Sequence, residues 1–362
     1  MGTHSWTLSV QAHDAERRER RSQTEFGNES TVCQQAVTFE NNARANWEQT
    51  LANITHWLWQ TLMSPIIDAL PKPATVTFIP AGLLGLLPLH AAWTHDDTNK
   101  TGKRYALDEL TIRYAPNARA LKEANTLAQQ VNADKLLAIE NPSKDLPYSA
   151  PEVDSIQATF TNPDILGQES ATQEAVLNAL PDYNVLHFSC HGHTDFEKPL
   201  QSGLLMANGQ EITLEELLNK HLKVRLATLS ACETGLLGTT LPDEVVSLSS
   251  GLLQAGVAGI AASLWSVSEI STMMLMTRFY GLWQQKQLDP VDALQQAQQW
   301  VCDTTKEEKV AYFRQANKGL PPDSNDVHLP KETARWLYYA IKDSTQDFSH
   351  PYHWAAFTYV GV

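Results

Sequence analysis

A histidine and a cysteine in this sequence each follow a run of apolar, strand-like residues. His191 lies in VLHFSCHGH (185–193), and Cys232 lies in VRLATLSACETG (224–235). A thiol is a poor nucleophile until a base or a positive field converts it into a thiolate, so enzymes bring imidazole and sulfur together in space. Side chains beyond the carboxyl ends of parallel strands meet in this way. The pair therefore predicts catalysis by a thiol nucleophile, as in a cysteine peptidase.

The residues around Cys232 sharpen this prediction. SACETG resembles the nucleophile signature of caspases, in which the catalytic cysteine stands between Ala and a short polar turn that contains Gly. In that signature the catalytic histidine lies a few tens of residues upstream, as His191 does here. The upstream element is Cys-His-Gly in this chain and Ser-His-Gly in caspases.

Further motifs resemble those of the CHAT family, bacterial caspase-like domains often found beside tetratricopeptide repeats, and through that family those of separase. In the family's order they are FIPAGLLGLLPLHAAW (78–93), YAPNARAL (114–121), CHGH, SACETG, GLLQAGVAGIAASLWSVSE (251–269) and HWAAFTYVG (353–361). The resemblance spans roughly residues 45–362 and places the chain among the clan CD cysteine peptidases. It implies a caspase-like three-layer α/β/α fold with a mostly parallel sheet, preceded by a smaller, pseudo-caspase-like α/β subdomain.

The resemblance also implies which residues form the site. Cys232 would attack the scissile carbonyl of a peptide, and His191 would handle the proton, the two working as a dyad without an obvious third member. The backbone N–H groups of Gly192 and Cys232 would form the oxyanion hole. The implied enzyme is an endopeptidase that cleaves a specific partner protein.

A preference for a basic residue before the cut is common to separase and several CHAT proteins, and it requires a carboxylate in the first specificity pocket. The family has an acidic residue after its SLW-x-V element, and Glu269 takes that place here, where Asp is more usual. Asp243 and Glu244, after the nucleophile, are the second candidates for this substrate-binding role. Negative charge favourable to a helix N-terminus accounts for those two more simply.

The elements expected to position these residues begin with a polar arm or stub over residues 1–44. An N-terminal α/β part of the CHAT region follows at 45–134, with an amphipathic helix over 46–70 and a strand at 74–80. Residues 135–362 form the expected catalytic domain. There strand-like segments (KLLAI, NVLHFSC, VRLATLS, VAGIAASLW) alternate with helix-like ones, which predicts a mostly parallel sheet with helices on both faces.

Local signals predict where some of these elements begin. Ser170 with Gln173 and Thr213 with Glu216 have capping-box spacing, which predicts a helix start at each pair. The Asn208-Gly209 pair predicts a tight turn in a hairpin between LLMA and EIT.

The same residues allow two other interpretations, a zinc site and a catalytically idle domain. Cys190, His191, His193 and Cys232 are zinc-ligand types, but they lack the pair spacing of structural zinc sites, so we expect no metal and no cofactor. His187 is expected to be a packed strand histidine. A catalytically idle CHAT module that serves as a protein-interaction scaffold is the alternative function, although an idle domain has no chemical reason to keep both His191 and Cys232.

Composition limits the partners. A net charge of −14 with only one dense basic stretch, near residue 20, argues against direct nucleic-acid binding. No apolar run reaches membrane-spanning length and no secretory signal is recognised, so we expect a cytoplasmic protein with free thiols and no membrane contact. The expected partners are a protein or peptide substrate and a regulatory protein. Because no 34-residue period is present in this chain, we expect a repeat-containing regulator to be a separate protein or to lie outside this chain.

Overall fold

The computed structural model describes residues 29–195, 197–230, 247–319 and 326–362. The chain divides into two compact units, Met1–Asn53 and Ile54–Val362. The described part of the first unit is helical, and this helix begins at Glu29, within the segment predicted to be a polar arm. The second unit contains every strand of the described residues and all the candidate site residues that are described.

The strands, in chain order, are β1 (Ala74–Phe78), β2 (Trp93–His95), β3 (Lys103–Tyr105), β4 (Leu110–Tyr114), β5 (Leu136–Glu140), β6 (Asp164–Gly167), β7 (Val185–Ser189), β8 (Gly192–His193), β9 (Gly203–Leu205), β10 (Glu211–Thr213), β11 (Val224–Leu229), β12 (Val257–Ser263) and β13 (Phe357–Gly361). The helices are α1 (Glu29–Leu58), α2 (Ser64–Ala69), α3 (Ala118–Ala128), α4 (Ser149–Gln157), α5 (Gln173–Ala179), α6 (Leu214–Leu218), α7 (Leu248–Ala255), α8 (Glu269–Tyr280), α9 (Pro290–Asp303), α10 (Lys306–Asn317), α11 (Lys331–Asp343) and α12 (Pro351–Trp354). A π-helical turn joins α1 to α2, and another follows α8.

Within the described ranges, eight strands form one sheet in the order β1-β4-β13-β12-β11-β7-β5-β6. Its neighbours run parallel except for β12 and β13, which are antiparallel. The strands β8, β9 and β10 form a separate small antiparallel sheet. This arrangement confirms the predicted mostly parallel α/β architecture.

Both faces of the large sheet are covered, because alternate residues of β7 pack against different helices. Leu186 and Phe188 join a core cluster with buried residues of α5, α6 and α7. On the opposite face, His187 contacts Glu152 of α4 and Tyr280 of α8. Successive strand residues point to opposite faces, so the three layers follow from the pattern of β7 itself. The predicted three-layer α/β/α arrangement is confirmed.

A second core cluster, within the second unit, lies between the helical segment 58–67 and the sheet. It combines Leu58, Met63 and Ile67 of the first helical segments with Leu110 and Ile112 of β4. In addition, β4 pairs with β13 through Tyr114 and Val360, so strands from the predicted 45–134 and 135–362 regions share one sheet. The boundary near residue 134 remains a prediction.

Of the two predicted helix caps and the predicted hairpin turn, one cap and the turn are confirmed. The Thr213–Glu216 capping box is present at the start of α6, and Asn208 and Gly209 adopt positive φ in the turn between β9 and β10, as predicted. The predicted cap at Ser170 is wrong. Thr172 caps α5 by accepting from the N–H of Ala175, while the Ser170 hydroxyl bonds back to the carbonyl of Gly167. Two polar residues compete for the cap here, and the later one has the extended backbone that a cap needs.

Across the described ranges, no helix combines the length and the apolar character that crossing a membrane requires.

Candidate active site

The carboxyl ends of β7 and β11 lie side by side. The two strands pair in parallel from Leu226 opposite Val185 to Leu229 opposite Phe188. Just beyond them, the N–H of Ser230 donates to the carbonyl of Phe188 at 2.9 Å. The described residues that immediately follow these strands, Cys190 and Ser230, therefore lie at one edge of the sheet.

A solvent-open cleft with a volume of about 460 Å³ lies at this edge. Ends of β7, β11 and β12, the start of α8 and the loop before α4 contribute to it. Its lining residues are Leu146, Tyr148, Glu152, Ser189, Cys190, His191, Ser230, Ser263, Val267, Glu269, Thr272 and Phe357.

His191 lies at this cleft with one ring nitrogen held by a carboxylate. Its Nε2 is 3.0 Å from Oδ1 of Asp145, and the side chains are 14% and 30% exposed, respectively. Ser143 donates to the same carboxylate oxygen at 2.5 Å. A carboxylate that accepts from Nε2–H fixes the tautomer and the ring orientation, and it stabilises the imidazolium. Nδ1 is then the nitrogen for proton exchange with a thiol.

The loop between β5 and α4 carries Asp145, and the side chain of Asn141 braces it. Oδ1 of Asn141 accepts from the N–H of Leu146 at 3.1 Å, and its Nδ2 donates to the carbonyl of Leu146 at 3.1 Å. The N–H of Asn141 donates to the carbonyl of Ser189 at 2.9 Å, which ties the loop to the end of β7. Asn141 has a φ of 44°, a left-handed conformation that Asn tolerates better than most residues. The loop is thus fixed relative to His191.

Glu269, the predicted pocket carboxylate, lies on the same cleft as His191. Its Oε2 accepts from the N–H of Tyr148 at 3.1 Å. Burial raises the pKa of Glu269 and the charge of Glu152 raises it further, while the Tyr148 hydrogen bond and His191 act in the opposite direction. Among the described residues, Glu269 has no Lys or Arg within salt-bridge distance. A half-buried carboxylate with no Lys or Arg partner in the described ranges is suited to bind a cation from a substrate.

A buried network under the cleft holds the end of β7. Nε2 of His187 lies 2.9 Å from Oε1 of Glu152, and Nδ1 lies 3.4 Å from the hydroxyl of Tyr280. Tyr280 in turn donates to Oγ1 of Thr228 at 2.9 Å. His187 is fully buried, which confirms that it is a packed strand histidine. The network links β7, β11, α4 and α8, and each of these elements has a cleft-lining residue within it or directly after it.

The N–H of Gly192 is oriented away from its neighbouring strand. The N–H of Leu205 donates to the carbonyl of His191 at 2.8 Å, and Gly192 stands opposite Leu204. Bonded and non-bonded pairs alternate in an antiparallel ladder, so the Gly192–Leu204 pair is of the non-bonded kind. Because β8 is an edge strand of its sheet, the ladder does not use this N–H. This N–H therefore points to the open edge of β8, away from β9.

Three predicted site residues, Cys232, Asp243 and Glu244, lie outside the described residues. The last described residue before Cys232 is Ser230, which lines the cleft. Cys190, which directly follows β7, and Cys302 are both buried thiols that are not in a disulfide.

Sequence reasoning missed Asp145 and Tyr148. Both lie in the loop NPSKDLPYS after β5, the strand that pairs with β7 on the side opposite β11. The signal that would have found them is positional: a third parallel strand ends at the same edge, so polar residues directly after KLLAIE are expected near the site.

Comparison with known proteins is informative at the family level. Residues 53–362 match the family model of the CHAT domain. No curated protein sequence matches. Among solved structures, the separase of the Saccharomyces cerevisiae separase–securin complex aligns with 14% identity, a TM-score of 0.47, and coverage of 79% of this chain and 15% of that one. The Arg-specific cysteine proteinase gingipain R aligns with 11% identity, a TM-score of 0.44, and coverage of 83% and 66%.

Proposed function

This chain belongs to the CHAT domain family, and from that premise we propose that it is a cysteine endopeptidase with Cys232 as nucleophile and His191 as acid–base group. The observation that carries the proposal is the position of His191. It follows a parallel strand, lies on an open cleft, and has one ring nitrogen held 3.0 Å from a carboxylate oxygen. That is the arrangement in which an imidazole exchanges protons with a neighbouring thiol.

In the proposed reaction the thiolate of Cys232 attacks the carbonyl carbon of the scissile peptide bond. The new S–C bond forms while the carbonyl π electrons move to oxygen, where the N–H groups of Gly192 and Cys232 stabilise the charge. When the oxyanion collapses, the C–N bond breaks and His191 gives its proton to the leaving amine. Water then attacks the thioester, His191 accepts a proton from it, and the thiolate leaves. Acid–base help of this kind contributes roughly 10²–10⁴-fold.

Asp145 acts through His191 and is therefore a positioning residue. Its carboxylate holds the Nε2–H, which leaves Nδ1 to receive and return the proton. The proposed dyad thereby gains a third group, which corresponds to the role that a carboxylate has in other nucleophile–histidine pairs.

The proposed substrate has a basic residue before the cut, recognised by Glu269. The support is the absence of a Lys or Arg within salt-bridge distance of this half-buried carboxylate in the described part of the chain. A guanidinium or ammonium of the substrate would pair with this carboxylate and make a charge-assisted hydrogen bond to it. Asp243 and Glu244 remain second candidates for contacts with substrate.

The test is steady-state cleavage of fluorogenic peptides that differ only in the residue before the cut: Arg, Lys, Leu or Asp. We expect cleavage of the Arg and Lys peptides, no cleavage by Cys232→Ala, and a loss of at least 10²-fold in His191→Ala. Glu269→Gln is expected to reduce the preference for Arg over Leu roughly 10- to 100-fold, because the substrate charge loses its partner.

The matched control is Glu211→Gln, which neutralises a glutamate outside the cleft and should leave the preference unchanged. Cleavage that survives Cys232→Ala would exclude the proposed nucleophile. An unchanged Arg preference in Glu269→Gln would exclude the proposed pocket. If the purified protein binds peptides but cleaves none of them, the scaffold function is favoured.

A further inference from the structure

Helix α11 presents large aromatic side chains to solvent. Its inward face has Thr333, Ala334, Leu337 and Ile341, at the three- and four-residue spacing of a helix that packs by one side. The outward positions include Trp336, whose side chain is 47% exposed, and Tyr339. An exposed Trp is costly to leave in water, and exposed aromatic residues at the edge of a cleft are typical of recognition surfaces.

Trp336 is connected to the cleft through Tyr148. The centroids of the two rings are 5.9 Å apart at an interplanar angle of 74°, an edge-to-face contact. Tyr148 lines the cleft, and its backbone N–H is the group that holds Oε2 of Glu269. One residue thus contacts both the carboxylate and the exposed indole.

Tyr148 lies between the cleft and Trp336. Its pKa is raised by partial burial and by the nearby charge of Glu269, so the ring is neutral at physiological pH. Tyr148 and Trp336 present two aromatic rings, while the adjoining cleft has the carboxylate of Glu269 and, facing His191, that of Asp145. A peptide that fits both parts has a cation followed or preceded by a large apolar side chain.

We propose that Tyr148 and Trp336 form an aromatic subsite that binds a large apolar side chain of the peptide substrate, close in sequence to the basic residue bound by Glu269. The subsite is continuous with the cleft, which is what identifies a peptide substrate as its occupant. An extended peptide rises about 3.3 Å per residue, so contacts that share Tyr148 lie within a few residues of each other. This inference rests on the proposed function and adds the second determinant of its specificity.

The experiment measures binding without turnover, in the Cys232→Ala protein, by fluorescence anisotropy. The peptides keep one Arg and vary each of the three residues on either side of it among Trp, Leu, Ala and Asp, and a matching set has Ala in place of the Arg. We expect Trp or Leu at one position to tighten binding about tenfold over Ala, and we expect this advantage to disappear in Cys232→Ala/Trp336→Ala. The conservative Cys232→Ala/Trp336→Phe protein should keep most of the advantage.

Trp57 provides the matched control, because it is 52% exposed and does not line the cleft. Cys232→Ala/Trp57→Ala should bind all the peptides as the Cys232→Ala protein does, and the melting temperatures of the three tryptophan variants should agree. Two results overturn the subsite alone. In the first, peptides with Trp or Leu still bind more tightly than those with Ala when Trp336 is replaced. In the second, the protein prefers Arg peptides but binds those with Trp, Leu and Ala equally well. Peptides that bind no better with Arg than with Ala in its place overturn the proposed substrate class and the subsite with it.

Discussion

Replacing Asp145 tests whether His191 depends on a carboxylate. Asp145→Asn keeps the size and shape of the side chain but removes the negative charge that faces Nε2 at 3.0 Å. The amide can also turn its N–H₂ group toward Nε2, which favours the tautomer that presents the wrong nitrogen to the thiol. We expect lower kcat with little change in KM, because Asp145 acts on the histidine and not on the substrate.

The size of the expected loss in kcat follows from the solvent exposure of the Asp145 and His191 side chains. A hydrogen bond to a charged group contributes about 1.5–3 kcal/mol when the partners are buried. Asp145 is 30% exposed and His191 is 14% exposed, so solvent screening reduces the value toward the lower limit. About 1.5 kcal/mol corresponds to roughly tenfold in kcat.

The assay is a pH profile of kcat/KM on an Arg peptide for the wild type and Asp145→Asn. Without the carboxylate the imidazolium is less stable, so the alkaline limb of the profile should move to lower pH. Glu169→Gln is the control, since it removes a carboxylate that pairs with Lys144 of the same loop and does not touch His191. An Asp145→Asn enzyme with wild-type kcat and an unshifted alkaline limb would refute the positioning role.

Two buried groups give further predictions, each checked by denaturant unfolding at several pH values. Burial lowers the pKa of His90 to about 4. Between pH 4 and 6.5 the unfolded chain therefore binds more protons than the folded one. As the pH falls from 7 to 4.5, the free energy of unfolding of the wild type should decrease by about 2 kcal/mol relative to that of His90→Gln. Equal losses in both proteins would contradict the reasoning. Burial lowers the pKa of Lys309 to about 8, so between pH 8 and 10.5 the unfolded chain again binds more protons than the folded one. As the pH rises from 7 to 9.5, the free energy of unfolding of the wild type should increase by about 2 kcal/mol relative to that of Lys309→Met. A constant difference between these two proteins would exclude a perturbed lysine.

Much of the central architecture follows from local sequence patterns. Short apolar runs such as NVLHFSC and VRLATLS are typical of strands buried on both faces, and alternation with helical segments predicts a parallel sheet. The structure has β7 and β11 where those runs lie, and they are neighbours. Because adjacent parallel strands end at one edge, the edge at which both β7 and β11 end was predictable.

Long-range pairing was not predictable in the same way. β13 is the last strand in sequence, yet it inserts between β4 and β12 and runs antiparallel to β12. Nothing within HWAAFTYVG specifies its neighbours or its direction, because register and order depend on contacts between distant segments. The joining of β1 and β4 to the same sheet has the same origin.

The Asp145 contact was missed for a related reason. Its position depends on the bracing of a loop by Asn141, whose side chain bonds both backbone groups of Leu146. A single sequence shows an Asp in a polar loop, which is the commonest place for one, and does not show which histidine it will face. Glu269 was found through the family resemblance, and the structure places it on the cleft with His191.

The most direct test of the account is the identity of the cysteine that reacts with an active-site-directed reagent. The purified protein is treated with an acyloxymethyl ketone peptide that ends in Arg, and the adduct is located by peptide mass mapping. We predict one adduct per chain, on Cys232, that is absent in His191→Ala and weakened in Glu269→Gln, while the buried thiols Cys190 and Cys302 stay unmodified. Unmodified Cys232 in the wild type, or an adduct whose formation does not depend on His191, would contradict the account.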